Sequence, residues 1–139
     1  MFGFGRRRKE RFQFERRMIS EEINRSERFG YGFVLLVVEL SHAAPRGLSR
    51  IFPGRTISFH TIEKNLRSYD KVGQSAIRRY HVLLPQTDRN QGKIIEERIH
   101  ALSRKYNLGD VTIGSAVYPE DGKTAKALID HAVSKIPSF

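Results

Sequence analysis

At 139 residues, 39% of them apolar and 29% charged, the chain has the size and balance of one globular domain and is too short for two ordinary ones. It contains no cysteine, which excludes a disulfide framework and a zinc-thiolate site. The formal net charge of +10 is compatible with nucleic acid, acidic lipid or an anionic small ligand as a partner.

Much of that excess sits at the start. Residues 1 to 17 hold seven basic side chains (Arg6, Arg7, Arg8, Lys9, Arg11, Arg16 and Arg17) against Glu10 and Glu15. One reading is the solvated start of a helix. The other is an anionic surface contacted by Arg6, Arg7, Arg8 and Lys9, whereas a specific nucleic-acid site is not expected. No apolar run approaches the roughly 18 residues that span a bilayer, and the patch around Phe2 and Phe4 is too short to read as a signal peptide. The expected location is cytoplasmic, either as a free protein or as the soluble part of a longer or membrane-associated chain.

Residues 6 to 28 hold no proline or glycine, and Phe12, Met18, Ile19 and Ile23 recur near helical spacing, so a long charged helix is expected to end at Gly30 and Gly32. Its apolar stripe is too narrow for a coiled coil, leaving packing on the domain behind it or pairing with a copy of itself. A basic helix or linker over 1–29 and a domain over 30–139 are the expected divisions. FVLLVVEL (33 to 40) reads as a central strand buried on both faces. SHAAPRGLSRIFPGR (41 to 55) reads as a loop with two prolines and two glycines. Residues 56 to 68 suggest a helix with Ile57, Ile62 and Leu66 inward.

LRSYDKVGQSAIRRYHVLLP (66 to 85) reads as a helix end, a strand, a tight hairpin and a second strand stopped by Pro85. Asp88 is the expected N-cap of a helix running to about Tyr106, with Ile94, Ile95, Ile99 and Leu102 buried and with Asn107 and Gly109 ending it. VTIGSAVY (111 to 118) is another strand, followed by the turn Pro119-Glu120-Asp121-Gly122. Thr124 caps a last helix carrying Ala127, Leu128, Ala132 and Val133. The order defines an α+β fold: a ferredoxin-like βαββαβ core, with helices packed on one face of an antiparallel sheet, preceded by an N-terminal helix.

That order suits many functions. Particular residues narrow it. LLVVELSH (35 to 42), LRSYDKV (66 to 72), RRYHVLLPQTD (78 to 88), EERI (96 to 99) and VTIGSAVYPEDGKT (111 to 124) together resemble the GGDEF (diguanylate cyclase) domain family over roughly residues 20 to 135. The resemblance implies the nucleotidyl-cyclase fold and a bacterial signalling role. Active members of that family join two GTP molecules into cyclic di-GMP, using metal ions held by a first-strand aspartate and an acidic residue of the signature.

Here the first-strand position is Glu39, the remaining candidate for holding a metal, and Ser41 stands where a second aspartate is common. The signature Gly-Gly-Asp/Glu-Glu-Phe reads Ala76-Ile77-Arg78-Arg79-Tyr80, so Arg78 puts a fixed positive charge where metals belong. Ala76 and Ile77 replace the glycines that let the backbone approach a nucleotide. The loop after the first strand is also shorter than the family's and lacks its Phe-Lys and Asn-Asp pattern. The resemblance therefore implies a domain without cyclase activity, metal or other cofactor.

The family's product-inhibition motif, Arg-x-x-Asp, survives as Arg67-Ser68-Tyr69-Asp70, and Arg98 falls where a further product-binding arginine is placed. The resemblance implies cyclic di-GMP as ligand, bound as a stacked dimer, with Arg67 donating to phosphate or guanine and Asp70 accepting from guanine N1 and N2. Read from spacing alone, Arg67 and Asp70 form a surface ion pair worth under about 1 kcal/mol. The alternative function is a protein-interaction or dimerisation scaffold, with a homodimer or a signalling protein as partner. His42, His60, His81, His100 and His131 show no metal-ligand spacing, and Ser41-His42 has no evident third partner for nucleophilic chemistry.

Overall fold

A computed structural model describes residues 2–41, 57–76 and 78–137, with side chains from residues 16–41, 61–76 and 78–137. The loop expected over 41 to 55, apart from Ser41, lies outside the described residues, as do Ile77 and the side chains of Phe12, Ile57 and Arg6 to Lys9.

The elements run α1 (Phe2–Phe29), β1 (Phe33–Leu40), α2 (Ile57–Lys64), β2 (Lys71–Ala76), β3 (Arg79–Pro85), α3 (Arg89–Lys105), β4 (Val111–Tyr118) and α4 (Ala125–Ser134). The four strands form one sheet in the order β2-β3-β1-β4. Neighbouring strands are antiparallel throughout. This is the expected α+β arrangement, with β1 at its centre.

The apolar run of β1 works through period-two alternation. Phe33, Leu35 and Val37 join Leu83, Ala116 and Tyr118 in one core with Ile19 and Ile23 of α1 and Leu128, Ile129 and Ala132 of α4. Val34, Leu36, Val38 and Leu40 join Tyr80, Val82 and Leu84 in the other, with Ile62 of α2 and Ile95 and Ile99 of α3. Helices thus cover both faces of the sheet, not one. The two helices within the βαββαβ core share a face, and the terminal helices close the opposite one.

Residues 18 to 26 of α1 belong to that second layer, since Met18, Ile19, Glu22, Ile23 and Ser26 are all buried. Glu22 is satisfied by Tyr31 Oη at 2.7 Å and Arg25 Nε at 3.3 Å. Burial, together with the adjacent Glu22 carboxylate, holds the Tyr31 phenol above its ordinary value. Gly30, at φ +74°, turns the chain from α1 toward β1 and donates its N–H to Ser26 O at 2.8 Å. On β4, a Cβ at Gly114 would run into the Ala132 carbonyl of α4, so the close approach of helix and strand requires glycine.

Two helices differ from expectation in ways that matter for the site. α2 stops at Lys64 rather than 68 because Asn65 Nδ2 donates to Thr61 O at 2.8 Å, diverting a terminal carbonyl. α3 begins at the expected cap, where Asp88 and Gln91 form a reciprocal capping box. Its buried stripe is Gly92, Ile95, Ile99 and Ser103, with Leu102 only half-buried. Ile94 is 58% exposed, one position off that stripe. On α4, Ala127 faces solvent, while Ile129 is buried in its place.

Candidate functional site

Ending α2 early puts Arg67 to Asp70 in a turn rather than a helix. The Asp70 N–H donates to Arg67 O at 3.0 Å, and the Arg67 N–H donates to Asp70 Oδ2 at 2.9 Å, so the four residues close on themselves. Side chains tighten the closure. Arg67 Nε reaches both Asp70 oxygens, at 3.2 and 2.9 Å, and Nη2 reaches Oδ1 at 2.9 Å. Nη2 also donates to Thr87 Oγ1 at 2.7 Å, whose hydroxyl donates in turn to Pro85 O at 2.9 Å.

The Asp70 side chain is fully buried, while the Arg67 side chain keeps 33% exposure. This corrects the surface-pair reading: the carboxylate is out of water, and its arginine is locked by a two-point fork. It also alters the role expected for Asp70. Among the described residues all its bonds go to Arg67, so the carboxylate positions the guanidinium and not a ligand's edge. Hydrogen bonding to Asp70 raises the Arg67 pKa despite partial burial, keeping the guanidinium charged.

Arg67 faces α3 across a pocket of about 210 Å³ bordered by Leu66, Asp70, Gln91, Ile94, Ile95 and Arg98. The fold thus brings the three residues of the Arg-x-x-Asp reading, Arg67, Asp70 and Arg98, to one place. Arg98 is exposed and makes no hydrogen bond or ion pair to any described residue. Outside the pocket, the Arg67 guanidinium carbon lies 4.6 Å from the centroid of the Tyr69 ring. Sequence reasoning missed Thr87, Gln91, Ile94 and Tyr69 here. The capping-box spacing of Asp88 and Gln91 places Gln91 on the first turn of α3, but nothing in the sequence marks Thr87 as a buried tether.

The strand ends that carry the altered signature are arranged differently. Arg79 stands opposite Glu39 in the β1–β3 register, and its Nη2 lies 3.0 Å from Glu39 Oε2. Arg78 Nη1 donates to Ser41 O at 3.0 Å, and Ser41 Oγ accepts from the Asp110 N–H at 3.1 Å. Both arginines reach back across the strand ends, Arg79 to Glu39 on β1 and the exposed Arg78 to Ser41 just beyond it. Tyr80 is completely buried, and Ala76 ends β2 beside a bulge between Gln74 and Ala76. Among the described residues, no three His, Asp or Glu side chains gather as a metal site.

A third cluster fixes the start of α3. Arg89 Nη2 reaches Glu120 Oε2 at 3.2 Å and Asp121 Oδ2 at 3.1 Å. Asp121 also accepts from the Val117 N–H at 2.8 Å and lies 3.6 Å from His131 Nε2. Burial pushes the Asp121 carboxyl up, but the Val117 N–H, Arg89 and His131 outweigh it, leaving the group below its ordinary value.

The fold is that of the GGDEF cyclase-like domains, with an N-terminal helix in front. No family model and no curated protein matches the chain by sequence. Solved structures do match. The GGDEF domain of YfiN (TpbB) from Pseudomonas aeruginosa is 19% identical, with a TM-score of 0.73 over 88% of this chain and 84% of that one. A diguanylate cyclase protein from Thermotoga maritima is 16% identical, with a TM-score of 0.71 over 87% of this chain and 90% of that one. A microbial GGDEF domain described in an interaction with cyclic di-GMP is 16% identical, with a TM-score of 0.65 over 83% of this chain and 76% of that one. Likeness at this identity establishes the shared fold. Among the described residues, no helix is long and apolar enough to cross a membrane.

Proposed function

We propose that this domain is a catalytically silent regulatory module that binds cyclic di-GMP in the pocket between the Arg67–Asp70 turn and α3. The observation that carries the reading is the pair of arginines on that pocket: Arg67 rigidly forked by Asp70 and Thr87, and Arg98 with no described partner. A preorganised cation beside an unpaired one favours an anionic ligand, because the protein supplies charge without rearrangement. The similar GGDEF domain described with cyclic di-GMP supports the ligand's identity. Two arginines and about 210 Å³ suit one guanine-phosphate end of the ligand rather than a whole stacked dimer.

The absence of turnover is supported at the strand ends. Glu39 is engaged by Arg79, and Arg78 lies against Ser41, so fixed positive charge occupies the region where metal-held phosphates would sit. Incubation with GTP and magnesium is expected to yield no cyclic di-GMP.

Calorimetric titration with cyclic di-GMP in about 0.15 M salt tests the binding claim, with Arg98→Ala as the decisive variant. Removing Arg98 disturbs no described bond, so lost binding there reports the site rather than the fold. Micromolar or tighter binding that Arg98→Ala weakens about tenfold to a hundredfold is the expected result. No heat and no thermal shift at saturating ligand would retire the claim in favour of an interaction scaffold.

A further inference from the structure

We propose that Arg67 meets its ligand face-on, as a stacking surface for a flat aromatic ring, while Arg98 takes the ligand's phosphate and Tyr69 acts as the positioning residue behind Arg67. The inference rests on reading this pocket as a nucleotide site and gives its two arginines separate tasks.

A guanidinium carries five N–H donors in one plane. In Arg67 the Nε edge and Nη2 are committed in that plane to Asp70 and Thr87, at 2.7 to 3.2 Å. What remains is the Nη1 amino group and the two faces. One face is taken, since the guanidinium carbon lies over the Tyr69 ring at 4.6 Å. Tyr69 sits in the turn between Arg67 and Asp70 and is 52% exposed, held there by the turn's own hydrogen bonds. The Nη1 amino group and the face opposite Tyr69 are what Arg67 has left to offer the pocket.

Guanidinium is weakly hydrated and stacks on aromatic rings, so its open face accepts a second ring as readily as the first. The pocket's other walls suit a ring edge, with Leu66, Ile94 and Ile95 apolar and Gln91 the uncharged polar group. Asp70 has no free carboxylate oxygen to read guanine N1 and N2. The charge of Arg67 is offset by Asp70, so the uncompensated positive charge on the pocket that suits a phosphate is Arg98. The ligand class is therefore a purine nucleotide recognised by its flat surface and its phosphate, and not by the donor and acceptor pattern of its base. Stacking of this kind tolerates either purine, because each has a π-face.

The test is titration of the folded chain with cyclic di-GMP, cyclic di-AMP and ribose 5-phosphate, repeated with Tyr69→Phe, Tyr69→Leu and Arg98→Ala. The two purine dinucleotides are expected to bind within about tenfold of each other. Tyr69→Phe keeps both affinities. Tyr69→Leu weakens both by about tenfold, the scale of a lost cation–π contact, and leaves ribose 5-phosphate unchanged. Arg98→Ala weakens all three. A preference for guanine above about a hundredfold would indicate edge recognition and overturn the inference while leaving cyclic di-GMP binding intact. An unchanged affinity in Tyr69→Leu would overturn it in the same way. Purine nucleotides that bind with Tyr69 dependence, with cyclic di-GMP excluded, would uphold stacking and remove the function proposed above. Failure of every purine ligand on the wild-type chain overturns both.

Discussion

Two arginine–carboxylate pairs flank the second half of this domain, and they behave as opposites. At the strand ends, Arg79 and Glu39 meet at 3.0 Å with side chains 35% and 37% exposed. At the turn before β2, Arg67 and Asp70 meet at 2.9 Å with the carboxylate wholly buried. The first pair joins adjacent strands and neutralises its own charge, with both members partly exposed. The second is closed by backbone bonds as well, and it stands beside a cation that has no described partner. On the function proposed above, the self-cancelling pair belongs to the silent site, and the pair that fixes one member next to a free charge belongs to the binding site. Burial of a single carboxylate separates the two cases.

The largest expected effect breaks the second pair. Arg67→Ala leaves the buried Asp70 carboxylate without its counter-charge, and a loss of about 3–5 kcal/mol of unfolding free energy is expected in urea denaturation. Asp70→Asn keeps shape and some hydrogen bonding and is expected to cost less, about 1–3 kcal/mol, because Arg67 is partly exposed and can regain water. Equal, negligible losses in both variants would mean that the turn is held by its backbone alone. The difference also bears on binding experiments: an Arg67→Ala chain that fails to bind has two explanations, and Arg98→Ala has one.

Next in size is Asp121, the carboxylate of the third cluster. Its folded pKa lies below the ordinary value, so its contribution is fully present above the unfolded value of about 3.9 and is lost as pH falls through the folded one. Asp121→Asn is expected to destabilise by about 1–2 kcal/mol at neutral pH. The gap from wild type should narrow only below about pH 4, followed by thermal unfolding across the acid range. A gap that stayed constant through the acid range would mean that the Asp121 carboxylate carries no pH dependence of stability.

Much of the fold was written in period-two and capping signals. β1 and β4 occupy the stretches that their apolar runs mark, and Asp88 and Thr124 cap their helices because a side-chain oxygen there satisfies a first-turn N–H. Three features were not legible. Asn65 ends α2 through a side-chain bond to Thr61, which composition cannot distinguish from one more helical turn. Ile94 points outward because α3 crosses the sheet on the face of Gly92, Ile95 and Ile99; an apolar residue one step off that stripe looks the same in sequence. The burial of Asp70 accompanies a long-range tether, since the Arg67 that forks it also bonds Thr87 twenty residues on. The Arg-x-x-Asp spacing therefore announced an ion pair without saying which member would face the pocket.

Smaller again is the strand-end pair. Glu39→Gln removes a partly exposed partner of Arg79 and is expected to cost less than about 1 kcal/mol, with the smaller value at high salt. A cost of several kcal/mol would show that the pair is a structural clamp like Arg67–Asp70, and the contrast between the two regions would fail.

The smallest stability effect belongs to Arg98→Ala, and it is the most informative. Arg98 is exposed on α3 and bonded to no described residue, so its loss is expected to shift unfolding by no more than about 0.5 kcal/mol. Yet a charge-assisted hydrogen bond to a phosphate is worth about 1.5–3 kcal/mol, and affinity for an anionic nucleotide should fall about tenfold to a hundredfold. Wild-type unfolding temperature should rise with ligand concentration, and the variant's should rise far less over the same range. If both effects were near zero, Arg98 would be one more solvated arginine on a basic protein. A large stability loss would point to a partner for Arg98 beyond the described residues. An intact fold with impaired binding is the outcome that separates a charge retained for a ligand from one retained for the fold.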